Sequence, residues 1–354
     1  MPPPVRSSLT ARDLLVSWGA ILRGRAPLMS IEITRECPLS CPGCYAYGDT
    51  HLQGTTLRQL NDLRGEALVE GVLGLVRKHR PLHVSLVGGE PLVRHRELSA
   101  ILPKLGEMGV YSMVVTSAVI AIPETWMAVP RLRVAVSVDG LPEHHDERRK
   151  PATYERILKN IEGRKVNIHW TITGPMMKRP GYIEEYLAFW SARREVDHIW
   201  VSIYTPQLGE SSPEMLTPAE RVNIAAQLKE LQNRYPKLLM RAGVAETLVN
   251  PPQNPDECLF SKMSVNYSAD FKTRVEPCVF GGTPDCSQCG CAISSGLHWI
   301  KAKKVAGPVK IDHLVRSSMA VGRVVAGIAE RSTHLPRWNS GATPAKKEPL
   351  VQIS

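Results

Sequence analysis

The sequence predicts an α/β fold, a partial (β/α)6 TIM-like barrel followed by a small cysteine-bearing C-terminal extension, and three observations carry that expectation. Six short apolar, β-branched runs occur at 29–34, 84–87, 113–115, 134–138, 168–172 and 199–203. Segments with room for a helix lie between runs, among them 56–78, 97–108, 153–162 and 182–194. Small polar or glycine-rich stretches follow several of the runs. Such strand–helix alternation builds βαβ units and a parallel sheet. Six strands are too few for a closed eight-stranded barrel, so a partial one fits, with ligands expected at the C-terminal strand ends.

Composition narrows the class. A chain of 354 residues that is 43% hydrophobic can bury one large core or two modest ones. No apolar run approaches the roughly 20 residues that cross a bilayer, and the N-terminus lacks signal-peptide character, so a cytoplasmic protein is expected. Eight cysteines, clustered as they are, argue for metal ligation in a reducing compartment rather than disulfides. The formal charge is +10, and residues 301–354 hold ten Lys/Arg against three Asp/Glu, a surplus of seven. The basic signal therefore lies in the tail, and no nucleic-acid partner is expected.

Residues 1–9 are rich in Pro and Ser and read as loose. Thr10 and Asp13 then fit a capping pair, and Leu14, Leu15, Trp18, Ile21 and Leu22 share one helical face. That helix either closes the bottom of the barrel or, with Arg12, Arg23 and Arg25 around it, rests on a membrane surface.

The first strand delivers the chain into Cys37-Pro38-Leu39-Ser40-Cys41-Pro42-Gly43-Cys44-Tyr45, a C-x3-C-x2-C spacing. Three thiolates cannot ligate every iron of a four-iron cube, so one iron is left for a ligand that is not protein. Zinc is the competing use of such thiols, although zinc loops more often draw four ligands from paired C-x2-C clips. The stretch resembles the signature of the radical S-adenosylmethionine (radical SAM) superfamily. The resemblance implies a [4Fe–4S] cluster on Cys37, Cys41 and Cys44 whose open iron is chelated by the amino and carboxylate groups of SAM. It also implies reductive cleavage of SAM to a 5′-deoxyadenosyl radical, hydrogen abstraction from an unactivated C–H bond, and a flavodoxin- or ferredoxin-type electron donor.

Further along, Gly88-Gly89-Glu90-Pro91 closes the second strand. Alone it is a turn; after the cysteine motif it resembles the family's GGEP element, which implies that Gly88 and Gly89 let the backbone approach SAM and that Glu90 offers a charge suited to its ammonium. The third strand ends in Thr116-Ser117-Ala118, a departure from the Thr-Asn-Gly of many relatives. Ser137-Val138-Asp139-Gly140 ends the fourth and resembles the S-x-D-G segment, with Ser137 and Asp139 implied at the SAM ribose. An arginine downstream is implied at the SAM carboxylate, which its planar fork can grip twice; the spacing favours Arg148 over Arg149. His144 and His145 read as surface residues.

A loop over 205–218 and a helix over 218–235 end the barrel portion, assigned to residues 29–235, after an N-terminal segment 1–28. Cys258, Cys278, Cys286, Cys289 and Cys291 then fall within 34 residues. With a hairpin expected at about 263–275, this 236–300 region resembles the SPASM or twitch extensions of radical SAM enzymes, which implies one auxiliary [4Fe–4S] cluster. Cys258, Cys278, Cys286 and Cys289 are the favoured ligands and Cys291 the substitute; a zinc ribbon is the alternative. The 277–291 stretch also resembles the cysteine region of the radical SAM enzyme that adenosylates hopanoid lipids. In residues 301–354, Ile311, Leu314, Val315, Val324, Val325 and Ile328 form an apolar stripe with Lys310, Arg316 and Arg323 off it, suited either to packing on the barrel or to peripheral contact with anionic lipid. Residues 332–354 read as a disordered tail.

The substrate expected is a lipid or other apolar metabolite, or a peptide of the kind SPASM enzymes mature, although no peptide-docking domain is visible before residue 29. Tyr45, Tyr204 and Cys291 are equal candidates for a hydrogen donor. A non-catalytic scaffold with zinc at both cysteine groups is the alternative from another class.

Overall fold

A computed structural model describes residues 10–151 and 154–333. The expectations for 1–9 and, of the tail read over 332–354, for 334–354 lie outside the described residues; residues 332–333 belong to a helix instead. Six strands follow the predicted runs, β1 (Leu28–Glu32), β2 (His83–Val87), β3 (Tyr111–Thr116), β4 (Leu132–Ser137), β5 (Val166–Ile172) and β6 (Val196–Ile203). Helices α2 (Gly65–His79), α3 (His95–Glu107), α4 (Pro142–Arg148), α5 (Tyr154–Ile161) and α7 (Tyr182–Ala192) fill connections between them, with a short α6 (Gly174–Met177) before α7. Every adjacent pair is parallel, in the order β6-β5-β4-β3-β2-β1, and a seventh strand, β7 (Ser264–Tyr267), pairs parallel with β1.

The seventh strand was not expected there. The hairpin predicted near 263–275 does turn back on itself, for Val275 N–H donates to Asn266 O at 3.1 Å. Yet its first limb, β7 (Ser264–Tyr267), joins the main sheet beside β1, with Leu28 opposite Ser264 and Ile31 opposite Tyr267. Val265 and Tyr267 are buried there, so the limb gains a place in the core that a free hairpin would lack. The opposite edge is covered too: Ile199 N–H donates to Lys237 O at 2.8 Å and Leu239 N–H to Ile199 O at 2.9 Å. Chain from beyond residue 235 thus pairs with both edges of the sheet, which keeps its open hydrogen-bonding groups from other chains.

The helices bury the faces their spacing predicts. In α2, Leu68, Val72, Leu73, Leu75 and Val76 turn inward, and in α3 Leu98, Ile101, Leu102 and Leu105. Each such side chain contributes about 1.5–3 kcal/mol when fully buried. On α7, Tyr186 stacks on Trp170 of β5 with ring centroids 3.8 Å apart. Helix α8 (Pro218–Leu231) starts at a capping box between Thr217 and Glu220.

Helix α1 (Ala11–Ile21) begins at the predicted Thr10–Asp13 box. Asp13 also accepts from Tyr111 Oη at 2.8 Å and from Arg131 Nη1 at 3.3 Å, which fixes the helix at the N-terminal ends of β3 and β4. The predicted apolar face is only partly used: Ile21 is buried, whereas Leu14 and Leu15 are 58% and 74% exposed. Helix α12 (Ile311–Thr333) crosses beside it, close enough that a Cβ on Gly24 would lie 2.7 Å from Gly322 O. Of its stripe, Val315 is buried while Leu314, Val324 and Val325 are exposed. No described helix is long and apolar enough to cross a membrane.

Candidate active site

The cysteine loop leaves β1 at Glu32 and is clamped by the loop that ends β2. Gly89 N–H donates to Thr34 O at 2.9 Å and Glu90 N–H to Glu36 O at 2.7 Å. A Cβ on Gly89 would sit 2.1 Å from Glu36 O, and one on Gly88, where φ is +98°, 2.9 Å from Thr34 O. The two glycines are therefore required by the approach of the cysteine loop itself. Glu90 is 1% exposed, and its carboxylate accepts from Leu92 N–H (2.9 Å), Thr116 Oγ1 (2.5 Å), Ser117 N–H (2.8 Å) and Ser117 Oγ (2.5 Å). Four donors saturate a carboxylate. The carboxylate, which also lines the cavity described next, ties the end of β3 to the end of β2, and the departure at Ser117 supplies one of its donors, the hydroxyl.

A cavity of about 380 Å³ opens at the C-terminal strand ends. Cys37, Cys41 and Cys44 line it, as do Gly88, Gly89, Ser137, Arg148 and Arg149. Burial pushes the Cys37 thiol up to about 11, with the charge of Glu90 and the neighbouring thiols adding to it. Burial raises Cys41 as well, opposed by Arg149. Thiols of this kind become thiolates when a positive centre is bound among them. No fourth cysteine lines the cavity. The donor set fits a cluster with one iron left open.

Asp139 is fully buried beneath the cavity and is not part of its wall. Its carboxylate accepts from Arg149 Nε at 2.8 Å, from Thr171 N–H at 3.2 Å and from Arg148 Nη1. Burial alone would raise its pKa, but Arg149 and Arg148 outweigh that and hold it below the usual carboxylate range. The residue expected at a ribose is thus the anchor of both arginines. Arg148 is further occupied by Glu214, with Nε 2.5 Å from one carboxylate oxygen and Nη2 3.1 Å from the other. Arg149 meets only Asp139, through Nε, so its two terminal nitrogens are free of protein partners among the described residues.

His145 is also corrected: it is fully buried, and its Nδ1 accepts the Asp139 N–H at 3.1 Å. That places its hydrogen on Nε2, and burial, with Arg149 next, lowers its pKa to about 4. The run of charges around it disguised a residue that α4 turns inward. His144 is partly buried against Tyr182, with centroids 4.9 Å apart.

The far wall comes from β5, β6 and the loop after it. His169 Nε2 lies 2.9 Å from Ser202 Oγ, and Tyr204 Oη donates to Glu210 at 2.5 Å. Tyr45 and Tyr204 line this cavity, whereas Cys291 does not. Sequence reasoning missed Glu214 and Glu210, which belong to a loop without a motif.

In the second cysteine group, Cys258, Cys278, Cys286, Cys289 and Cys291 all line one small cavity. Ser294 Oγ is 3.3 Å from Cys258 Sγ, and burial raises the Cys278, Cys286, Cys289 and Cys291 thiols. Cys291 caps α11 (Ala292–Lys301). Among the described residues, no three His, Cys, Asp or Glu are gathered to hold a single metal ion. A multi-iron cluster spreads its ligands over separate irons and needs no such convergence. Phe280 and Thr205 line both cavities.

Residues 31–189 match the model of the Radical SAM superfamily. No curated protein matches the chain. Among solved structures the fold is similar to Streptococcus suis SuiB bound to S-adenosylmethionine, at 14% identity and TM-score 0.52, over 91% of this chain and 78% of that one. SuiB bound to its precursor peptide SuiA gives 14% and 0.53, over 84% and 72%. Native anSMEcpe with bound AdoMet gives 15% and 0.52, over 87% and 99%. Identities this low speak to the fold alone.

Proposed function

Since the chain carries a radical SAM superfamily domain over residues 31–189, we propose that it cleaves SAM reductively and abstracts hydrogen from an unactivated C–H bond of a biosynthetic substrate. The observation that carries this reading is the set of three thiols, Cys37, Cys41 and Cys44, on one cavity at the C-terminal ends of a parallel sheet. When bound there, a [4Fe–4S] cluster with chelated SAM supplies the electron and the 5′-deoxyadenosyl radical.

The protein's own part is to hold, orient and exclude water. Gly89 and Glu90 hold the cysteine loop through backbone hydrogen bonds, and Gly88 lets it approach. Arg149, held by Asp139, lines the cavity with its terminal nitrogens free of partners among the described residues and is our assignment for the SAM carboxylate. Ser137 lines the wall at the end of β4 and is assigned to the ribose. Cys258, Cys278, Cys286 and Cys289, with Cys291 as substitute, are assigned to one auxiliary [4Fe–4S] cluster. The exposed turn at Pro38 and Ser40, outside the cavity lining, is where a flavodoxin- or ferredoxin-type donor would approach.

For the substrate, a peptide is the first reading. SuiB with its precursor peptide and anSMEcpe with the Kp18Cys peptide share this fold. The far wall, with His169, Gln207 and Glu210, can hydrogen-bond a polar chain. A lipid is the second reading, favoured by the exposed Leu14, Leu15, Val16, Val321 and Val324. That apolar surface adjoins the N-terminal strand ends, so a membrane held there would lie away from the cavity. Anaerobic purification tests the reading: about eight irons per chain are expected for two cubes, with a spectrum of the reduced protein that changes on adding SAM. A colourless zinc protein would refute it.

A further inference from the structure

Two loops meet where no motif predicts a contact. His51, seven residues after Cys44, is 1% exposed; its Nε2 lies 2.7 Å from Glu32 Oε1 and its Nδ1 2.9 Å from the carbonyl oxygen of Phe280. The other Glu32 oxygen accepts the Ser268 hydroxyl at 2.5 Å. Glu32 ends β1 and Ser268 follows β7, so one buried pair joins the sheet, the first cysteine loop and the second cysteine region. The grip is two-sided. Gly282 N–H donates to His51 O at 3.1 Å, and a Cβ on Gly281 would lie 2.1 Å from that same oxygen. Phe280 in turn stands edge-on to Tyr45, with centroids 5.4 Å apart, and forms part of the partition between the two cavities.

We propose that Glu32 and His51 are a positioning pair: they hold Phe280 and the Cys278 loop against the Cys44–Tyr45 loop and so set the separation of the two iron–sulfur centres. The inference rests on the reading of both cysteine groups as cluster sites. Apolar packing could fill the same space, but hydrogen bonds from both ring nitrogens fix direction as well as distance. Neither residue is among the assigned ligands, so the pair acts through the loops it joins.

The test compares holoenzyme carrying His51→Ala or Glu32→Gln with the wild type. Glutamine keeps the shape and one acceptor for His51 but removes the buried charge and turns an NH2 donor on the Ser268 hydroxyl or on the ring, so Glu32→Gln should show the same local exchange effect as His51→Ala at smaller size, and its absence counts against the pair. His51→Ala should speed amide hydrogen exchange over 278–282 at least tenfold, leave exchange in β2–β5 unchanged, keep the iron count, and weaken the magnetic coupling between the two reduced centres in EPR. Unchanged exchange at 278–282 together with unchanged coupling would overturn the proposal. Faster exchange throughout the sheet would also overturn it, because the role would then be general stability. Should His51→Ala fail to fold, Ser268→Ala, which removes one hydroxyl from Glu32, must show the same local exchange effect at smaller size, and its absence counts against the pair. Wild-type protein with fewer than two clusters would refute the cysteine assignment instead, and the exchange comparison would still decide the pair.

Discussion

Gly89→Ala is the most local way to disturb the cysteine loop. The added Cβ would lie 2.1 Å from Glu36 O, 2.6 Å from Glu36 C and 2.8 Å from Tyr47 Oη, so the loop must retreat by about 1.3 Å before ordinary contact begins at 3.4 Å. A retreat along that line stretches the 2.7 Å bond from Glu90 N–H to Glu36 O beyond use, a loss of about 0.5–1.5 kcal/mol. Overpacking of a tight site adds about 1–3 kcal/mol. Cys37 is the next residue and moves with Glu36. A shift near 1 Å at a reacting centre costs about 10²-fold in rate. The assay combines urea unfolding of the apoprotein, iron per chain, and 5′-deoxyadenosine formed under dithionite. The expected result is a loss of about 1.5–4.5 kcal/mol and at least tenfold slower SAM cleavage. Gly74→Ala is the control, since nothing lies within 4 Å of its Cβ in α2, and it should stabilise by about 0.5–1 kcal/mol. A Gly89→Ala protein with wild-type unfolding and cleavage would refute the clamp.

Three further outcomes are expected. Asp139→Ala leaves Arg148 and Arg149 without their buried partner and should cost about 3–5 kcal/mol in denaturant unfolding; a loss under 1 kcal/mol would contradict its role as anchor. Arg149→Ala should weaken SAM binding by about 10–100-fold in equilibrium titration, the scale of charged hydrogen bonds, while Arg148→Ala should weaken it less, because Arg148 is occupied by Glu214 and Asp139; the reverse order would restore the assignment from spacing. His145 is depressed to about 4, so folding favours its neutral ring. Its contribution is present above the unfolded value near 6.5 and is lost as pH falls from there toward 4. Between pH 7 and 5 the loss is about 2 kcal/mol, and His145→Asn, which keeps an acceptor for Asp139 N–H, should flatten that slope; an equal slope in both proteins would place the titration elsewhere.

Much of the barrel was legible because each strand is a β-branched run with its own helix-sized follower, a local signal. The Thr10–Asp13 cap was legible for the same reason. β7 was not, since Ser264–Tyr267 reads as one limb of a hairpin and only tertiary burial decides which sheet it joins. The three cysteines of the first cavity were found by their spacing on one loop, which is a local signal. The hydrogen-bond partners of Asp139 and Glu90 were not legible, because a motif marks position and says nothing of which donors a buried carboxylate gathers. His51 carries no motif, and its partners Glu32 and Phe280 are 19 and 229 residues away.

The account stands most directly on one comparison of reduced, anaerobic protein incubated with SAM. The wild type should release 5′-deoxyadenosine, and a Cys37→Ala/Cys41→Ala/Cys44→Ala variant should release none while retaining about four irons in the second cysteine group. Release by the variant, or its absence from iron-replete wild type, would contradict the claim that these three thiols hold the cluster at which SAM is cleaved.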